Sequence, residues 1–80
     1  MAKQNLEEFL IAWTSLHLNK GLPVDHANTL STYGIDSLRA VLLVADTQEM
    51  FGFEWPLYLF FDDLTIAQLA VEGLKLMEEM

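Results

Sequence analysis

Apolar residues recur at helical spacing in three separate stretches of this 80-residue chain, and helix-stopping residues separate the stretches. In the first, Leu6, Phe9, Leu10, Trp13, Leu16 and His17 follow an i, i+3, i+4, i+7 pattern. Glu7 and Glu8 lie near the positive end of a helix expected over Asn5–His17. "NKGLP" ends it, with Gly21 suited to a left-handed cap and Pro23 two residues on. A second helix is expected over Ser37–Phe51, with Asp36 as N-cap and Gly52 just past its end. Thr65 caps a third run carrying Ile66, Leu69, Ala70, Leu74 and Met77, in which Gly73 is a weak point. The aromatic segment "FEWPLYLFFDDL" has no partner for a sheet and holds one short helical turn after Pro56. Between the first two helices, Leu22 to Gly34 has no sustained period. A loop that long is functional or pinned by its own side chains, here Leu30, with Val24 and Tyr33 as lesser anchors. The expected architecture is all-α: one domain over residues 1–80, a small four-helix bundle of three longer helices and one short one, with a long loop after the first.

Composition narrows what such a bundle does. There is no cysteine, so neither disulfides nor a thiolate metal site supports the fold, and packing must. A hydrophobic fraction of 52% is too high for a disordered tail. Four Lys/Arg against twelve Asp/Glu give a net charge of −8, a field that repels phosphate backbones and anionic lipid. That charge suits a partner with a basic surface, and equally serves solubility. "MAKQNLEEF" is unlike a signal peptide, and the apolar runs "AVLLVA" and "PLYLFF" are far too short to span a bilayer. A cytoplasmic domain, without nucleic-acid or membrane roles, is the expectation. His17 reads as a helix-end or core residue and His26 as solvated, and neither has the company of a metal site.

The second helix is apolar on two sides. One stripe runs Ala40, Leu43, Val44, Thr47, Phe51; the other runs Leu38, Val41, Leu42, Ala45, Glu49. Both obey the helical period, and a helix in so small a bundle hardly buries both. The exposed one is either ordinary surface or a docking face that begins one residue from Ser37.

Ser37, in "TLSTYGIDSLRAV", has three readings. A catalytic nucleophile needs a base and an orienting acid, and an 80-residue bundle has little room for a substrate pocket besides. A purely structural serine starts the helix with Asp36. A modified serine uses the free N–H groups and positive dipole end of a first helical turn to hold a phosphodiester. The last two are compatible.

"YGIDSLRAV" resembles the phosphopantetheine attachment motif of acyl carrier proteins: a glycine, an apolar residue, then Asp-Ser-Leu. The following "RAV" is more similar to carriers of modular polyketide synthases than to those of fatty-acid synthesis. "FGFEWPLYLFFDDLTIAQLA" extends the resemblance, with Phe-Gly closing the second helix and an Asp-x-x-Thr-Ile-x-x-Leu-Ala-like segment opening the last. The resemblance covers nearly the whole chain. It implies a non-catalytic carrier whose Ser37 receives 4'-phosphopantetheine from coenzyme A through a metal-dependent phosphopantetheinyl transferase. The arm then carries acyl intermediates as thioesters, and its thiol stands in for the missing cysteine. It implies that Asp36, Leu38 and Arg39 contact partner enzymes such as a ketosynthase or an acyltransferase. Val41, Leu42, Ala45 and Glu49 would complete the docking stripe. The isolated domain would be a monomer, whether freestanding or part of a larger synthase. Other readings are a fatty-acid or peptidyl carrier and an unmodified helical interaction module.

The chain departs from the family pattern at three places. Many carriers have glutamate where Leu42 stands, polyketide carriers often have basic or amide residues near 44–46, and Thr47 replaces a usual core leucine. A greasier docking face is the expected result. Among the aromatics Trp13, Trp55, Tyr58, Phe60 and Phe61, packing is the default role. Trp55, beside Pro56, is the exception expected to border the arm.

Overall fold

A computed structural model describes the backbone of residues 2–79 and the side chains of residues 5–79. Three α-helices carry the fold: α1 (Ala2–His17), α2 (Ser37–Phe51) and α3 (Ile66–Glu78). Two 3-10 segments, Ser31–Tyr33 and Leu57–Phe61, lie in the connections. Among the described residues there is no strand, only one isolated antiparallel bridge between Thr29 and Thr65. The segment expected as a short fourth helix is thus a five-residue 3-10 helix, started by Pro56, whose fixed φ of −66° suits a helix entry.

α2 spans the expected residues, with Asp36 and Gly52 as its caps. α1 begins three residues before the expected Asn5, where no capping residue signals the start. Lys20 and Gly21 both take left-handed backbone, and Gly21 donates its N–H to the Ser15 carbonyl, ending the helix as the sequence implies. α3 opens with a capping box in which Thr65 Oγ1 accepts from the Gln68 N–H and Gln68 Oε1 accepts from the Thr65 N–H.

The core draws Leu6, Leu10 and Trp13 from α1, Ala40 and Leu43 from α2, and Ile66, Leu69 and Ala70 from α3. Phe53, Trp55, Leu59 and Phe60 fill it from the α2–α3 connection. Leu30 pins the long loop as expected, fully buried, with Val24 and Tyr33 half-buried beside it. The loop also folds on itself: the Tyr33 hydroxyl accepts from the Asp25 N–H and the Asn28 amide.

Three expectations need correction. Leu16 does not join the buried stripe of α1; it is 71% exposed, and Thr14 takes the buried position at that end. Trp55 does not border an exposed arm site. It is buried, and its Nε1–H donates to Thr47 Oγ1 at 2.8 Å while that hydroxyl donates to the Leu43 carbonyl. The threonine in place of a core leucine is therefore the indole's hydrogen-bond partner, satisfying a polar atom that would otherwise be costly to bury. The packing role holds for Trp13, Trp55 and Phe60, whereas Tyr58 and Phe61 are exposed on the 3-10 segment.

Gly73 is buried where α3 meets α1. A Cβ there would collide with Leu6 Cδ2, lie 2.6 Å from Trp55 Cη2 and 3.2 Å from Phe53 Cζ. What reads as a weak helical residue is the slot that admits the indole.

Candidate functional site

The site is built on the entry to α2. Gly34, at φ 83°, closes the 3-10 turn by donating to the Ser31 carbonyl, a backbone geometry that favours glycine. Ile35 donates to the Leu30 carbonyl and half-buries its side chain, anchoring the chain to the loop's buried pin. Asp36 then extends, and its Oδ1 accepts from the Arg39 N–H at 2.8 Å. The Arg39 guanidinium closes the turn from outside, donating from Nη1 to Asp36 Oδ2 at 3.0 Å. The Arg39 N–H, then the guanidinium charge, hold the Asp36 carboxyl below its ordinary 3.8 against the opposing effect of desolvation.

Ser37 is the first helical residue, exposed, and its hydroxyl has no hydrogen-bond partner among the described residues. The N–H groups of Ser37 and Leu38 likewise find no acceptor there. The result is a free hydroxyl beside two free donors at the positive end of a 15-residue helix. Neither histidine hydrogen-bonds it: His26 pairs with Glu7 at 3.0 Å, and His17 stacks on Trp13 with ring centroids 4.6 Å apart. The site lacks the nucleophile–base pair of an esterase.

The two stripes of α2 separate in space. Ala40, Leu43 and Thr47 are buried, with Val44 and Phe51 half-buried behind them. Leu38 is 79%, Val41 54% and Leu42 42% exposed, with Ala45 and Glu49 outside as well. Hydroxyl and apolar stripe therefore share one surface. Two features escaped the sequence reading. Trp13 Nε1–H donates to Asp46 Oδ2 at 2.8 Å, tying α1 to α2, and exposed Leu16 and half-buried His17 face Leu38, Arg39 and Leu42 across a cleft. The sequence hints at that cleft only through Leu16, an apolar residue in the last turn of α1.

The family model for the phosphopantetheine attachment site matches residues 16–70, which takes in the loop, the whole of α2 and the start of α3. The chain belongs to this family. Searches of curated proteins and of solved structures gave no significant match. Membership makes the chain a carrier domain that holds a covalent 4'-phosphopantetheine. Carrier domains are generally not catalysts; a phosphopantetheinyl transferase modifies them and synthase enzymes use them. The entry to α2 fits that group, since an exposed hydroxyl and unused backbone donors suit a phosphodiester. No helix among the described residues is long and apolar enough to cross a membrane.

Proposed function

We propose that this carrier domain is an acyl carrier of the polyketide-synthase type, with Ser37 as its attachment residue and the outward stripe of α2 as its docking face. The observation that carries the reading is the unbonded, exposed Ser37 hydroxyl at the open start of α2, inside "YGIDSLRAV". In loading, the Ser37 oxygen forms a bond to the phosphorus of coenzyme A that bears the pantetheine. The bond from that phosphorus to the bridging oxygen breaks, the bisphosphorylated adenosine half departs, and the serine proton goes to a base of the transferase. Asp36, through its cap, holds the helix start on which the hydroxyl stands. When bound, the arm supplies a terminal thiol for acyl groups. The polyketide assignment rests on "RAV" after the serine, and a fatty-acid or peptidyl cargo is the neighbouring alternative. The 3-10 segment Leu57–Phe61 takes the place of the short helix of a four-helix carrier bundle.

Intact mass after incubation with coenzyme A and a broad-specificity transferase tests the attachment. A gain of one phosphopantetheine, absent in Ser37→Ala, is the expected result. No gain in the unaltered chain overturns it and favours a helical interaction module built on the same apolar stripe. Leu38, Val41 and Leu42 form the centre of the docking face, with Arg39, Ala45 and Glu49 around them. Burying such a centre makes it sensitive, so Leu42→Glu should slow acyl transfer to a cognate synthase enzyme by roughly 10-fold. An unchanged transfer rate removes Leu42 from the docking face.

A further inference from the structure

A cleft of about 510 Å³ opens between the end of α1 and the start of α2, lined by Leu16, His17, Leu38, Arg39 and Leu42. That volume lies within the range of small-molecule sites, roughly 300–1,000 Å³. Its walls are fixed: the Trp13–Asp46 hydrogen bond joins the two helices, and His17 is stacked on Trp13. Leu38 and Leu42 stand four residues apart on one ridge of α2, and Leu16 faces them from α1. Leu16 and Leu38 are among the most exposed leucines of the chain, yet both line this single depression. Two polar groups complete it. Arg39 has donors left over after its bond to Asp36, and His17 presents its ring.

We propose that this cleft seats the pantetheine arm of the carrier domain, which rests on the reading of Ser37 as its attachment residue. Tethering decides the occupant. Ser37 immediately precedes Leu38 and Arg39, so an arm anchored there meets the cleft at an effective concentration of about millimolar or above. The chemistry along the arm matches the lining. Next to its phosphate, pantetheine has a quaternary carbon with two methyl groups, and these cover Leu38, Leu42 and Leu16. Its hydroxyl and first amide carbonyl follow, and these meet the donors of Arg39 and His17. The sequestered part is the arm's near half, with the thiol end left outside, and a partner enzyme that docks on Leu38 and Leu42 displaces the arm from the cleft.

The test compares the isotopically labelled chain before and after loading with coenzyme A and a broad-specificity transferase, with intact mass to establish complete loading. Expected are amide shift changes at Leu16 and His17, on a different helix from Ser37, and nuclear Overhauser contacts between the arm's methyl protons and the methyls of Leu16 and Leu42. Leu16→Ser should load to completion by mass while losing the His17 shift, because Leu16 is exposed and its loss leaves the core intact. Complete loading with shifts confined to the residues flanking Ser37 overturns the seat and leaves the attachment reading standing. Absence of any mass gain overturns both.

Discussion

α2 and α3 begin with the same device and put it to opposite uses. Each has a side-chain cap that accepts from the N–H three residues on: Asp36 from Arg39, and Thr65 from Gln68. At α3 the end is sealed. The N–H groups of Ile66 and Ala67 donate to the carbonyls of Asn28 and His26 in the long loop, and Ile66 is fully buried. At α2 the equivalent N–H groups, those of Ser37 and Leu38, are unused and the side chains are exposed. Capping alone does not leave a hydroxyl accessible at a helix start. What matters is whether the rest of the fold covers it.

The strongest challenge to that contrast is to place a serine at the sealed end. Ile66→Ser removes a fully buried side chain and should lower stability by about 2–5 kcal/mol, read from the urea midpoint. It should add no second phosphopantetheine by mass, and a doubly loaded product would show that exposure is not the deciding difference. A smaller effect is expected from Thr65→Ala, which removes the cap but not the seal. It should cost about 1 kcal/mol and lower Tm by roughly 4–8 °C for a domain of this size, with Ser37 loading unaffected.

Acid should separate the two ends further, with a smaller effect still. The folded Asp36 carboxyl lies below its ordinary 3.8, so its contribution to stability is full above that value. It is lost as pH falls from there through the depressed folded value. The cap of α3 does not titrate. Amide resonances at the start of α2 should therefore shift before those at the start of α3, and Asp36→Asn should abolish the difference because asparagine caps as well as aspartate. Equal response of both ends in the unaltered chain would mean that Asp36 does not hold its end alone. The smallest readout is hydrogen exchange at neutral pH, where the Ile66 and Ala67 amides should be protected and those of Ser37 and Leu38 should exchange freely.

The open end was legible in the sequence and the sealed one only in part. Asp36, Ser37 and Gly34 announce themselves locally, through cap chemistry and a left-handed glycine, and the two stripes of α2 sort as the expected core and surface. Thr65 announces its cap in the same way. The seal does not, because the carbonyls of His26 and Asn28 reach Ala67 and Ile66 from far away in the sequence and through backbone atoms that any residue supplies. The cleft is hidden for a related reason. Leu16 fits the apolar period of α1 and looks like core, but α1 ends there and the packing passes to Thr14. Thr47 and Trp55 each look anomalous when read alone, and the hydrogen bond between them explains both.

Gly73 bears on how this domain would be engineered. A glycine inside a helix is a standard target for alanine replacement, since alanine is better by about 1 kcal/mol in an open helix. Here the substitution would drive a methyl group into Leu6, Trp55 and Phe53 at once, and a rigid indole cannot step aside. A consensus or propensity-guided stabilisation scheme would choose this position early and lose by it. Repacking Gly73 together with Trp55 would in turn remove the donor from which the buried Thr47 hydroxyl accepts, so these positions behave as one designable unit rather than three.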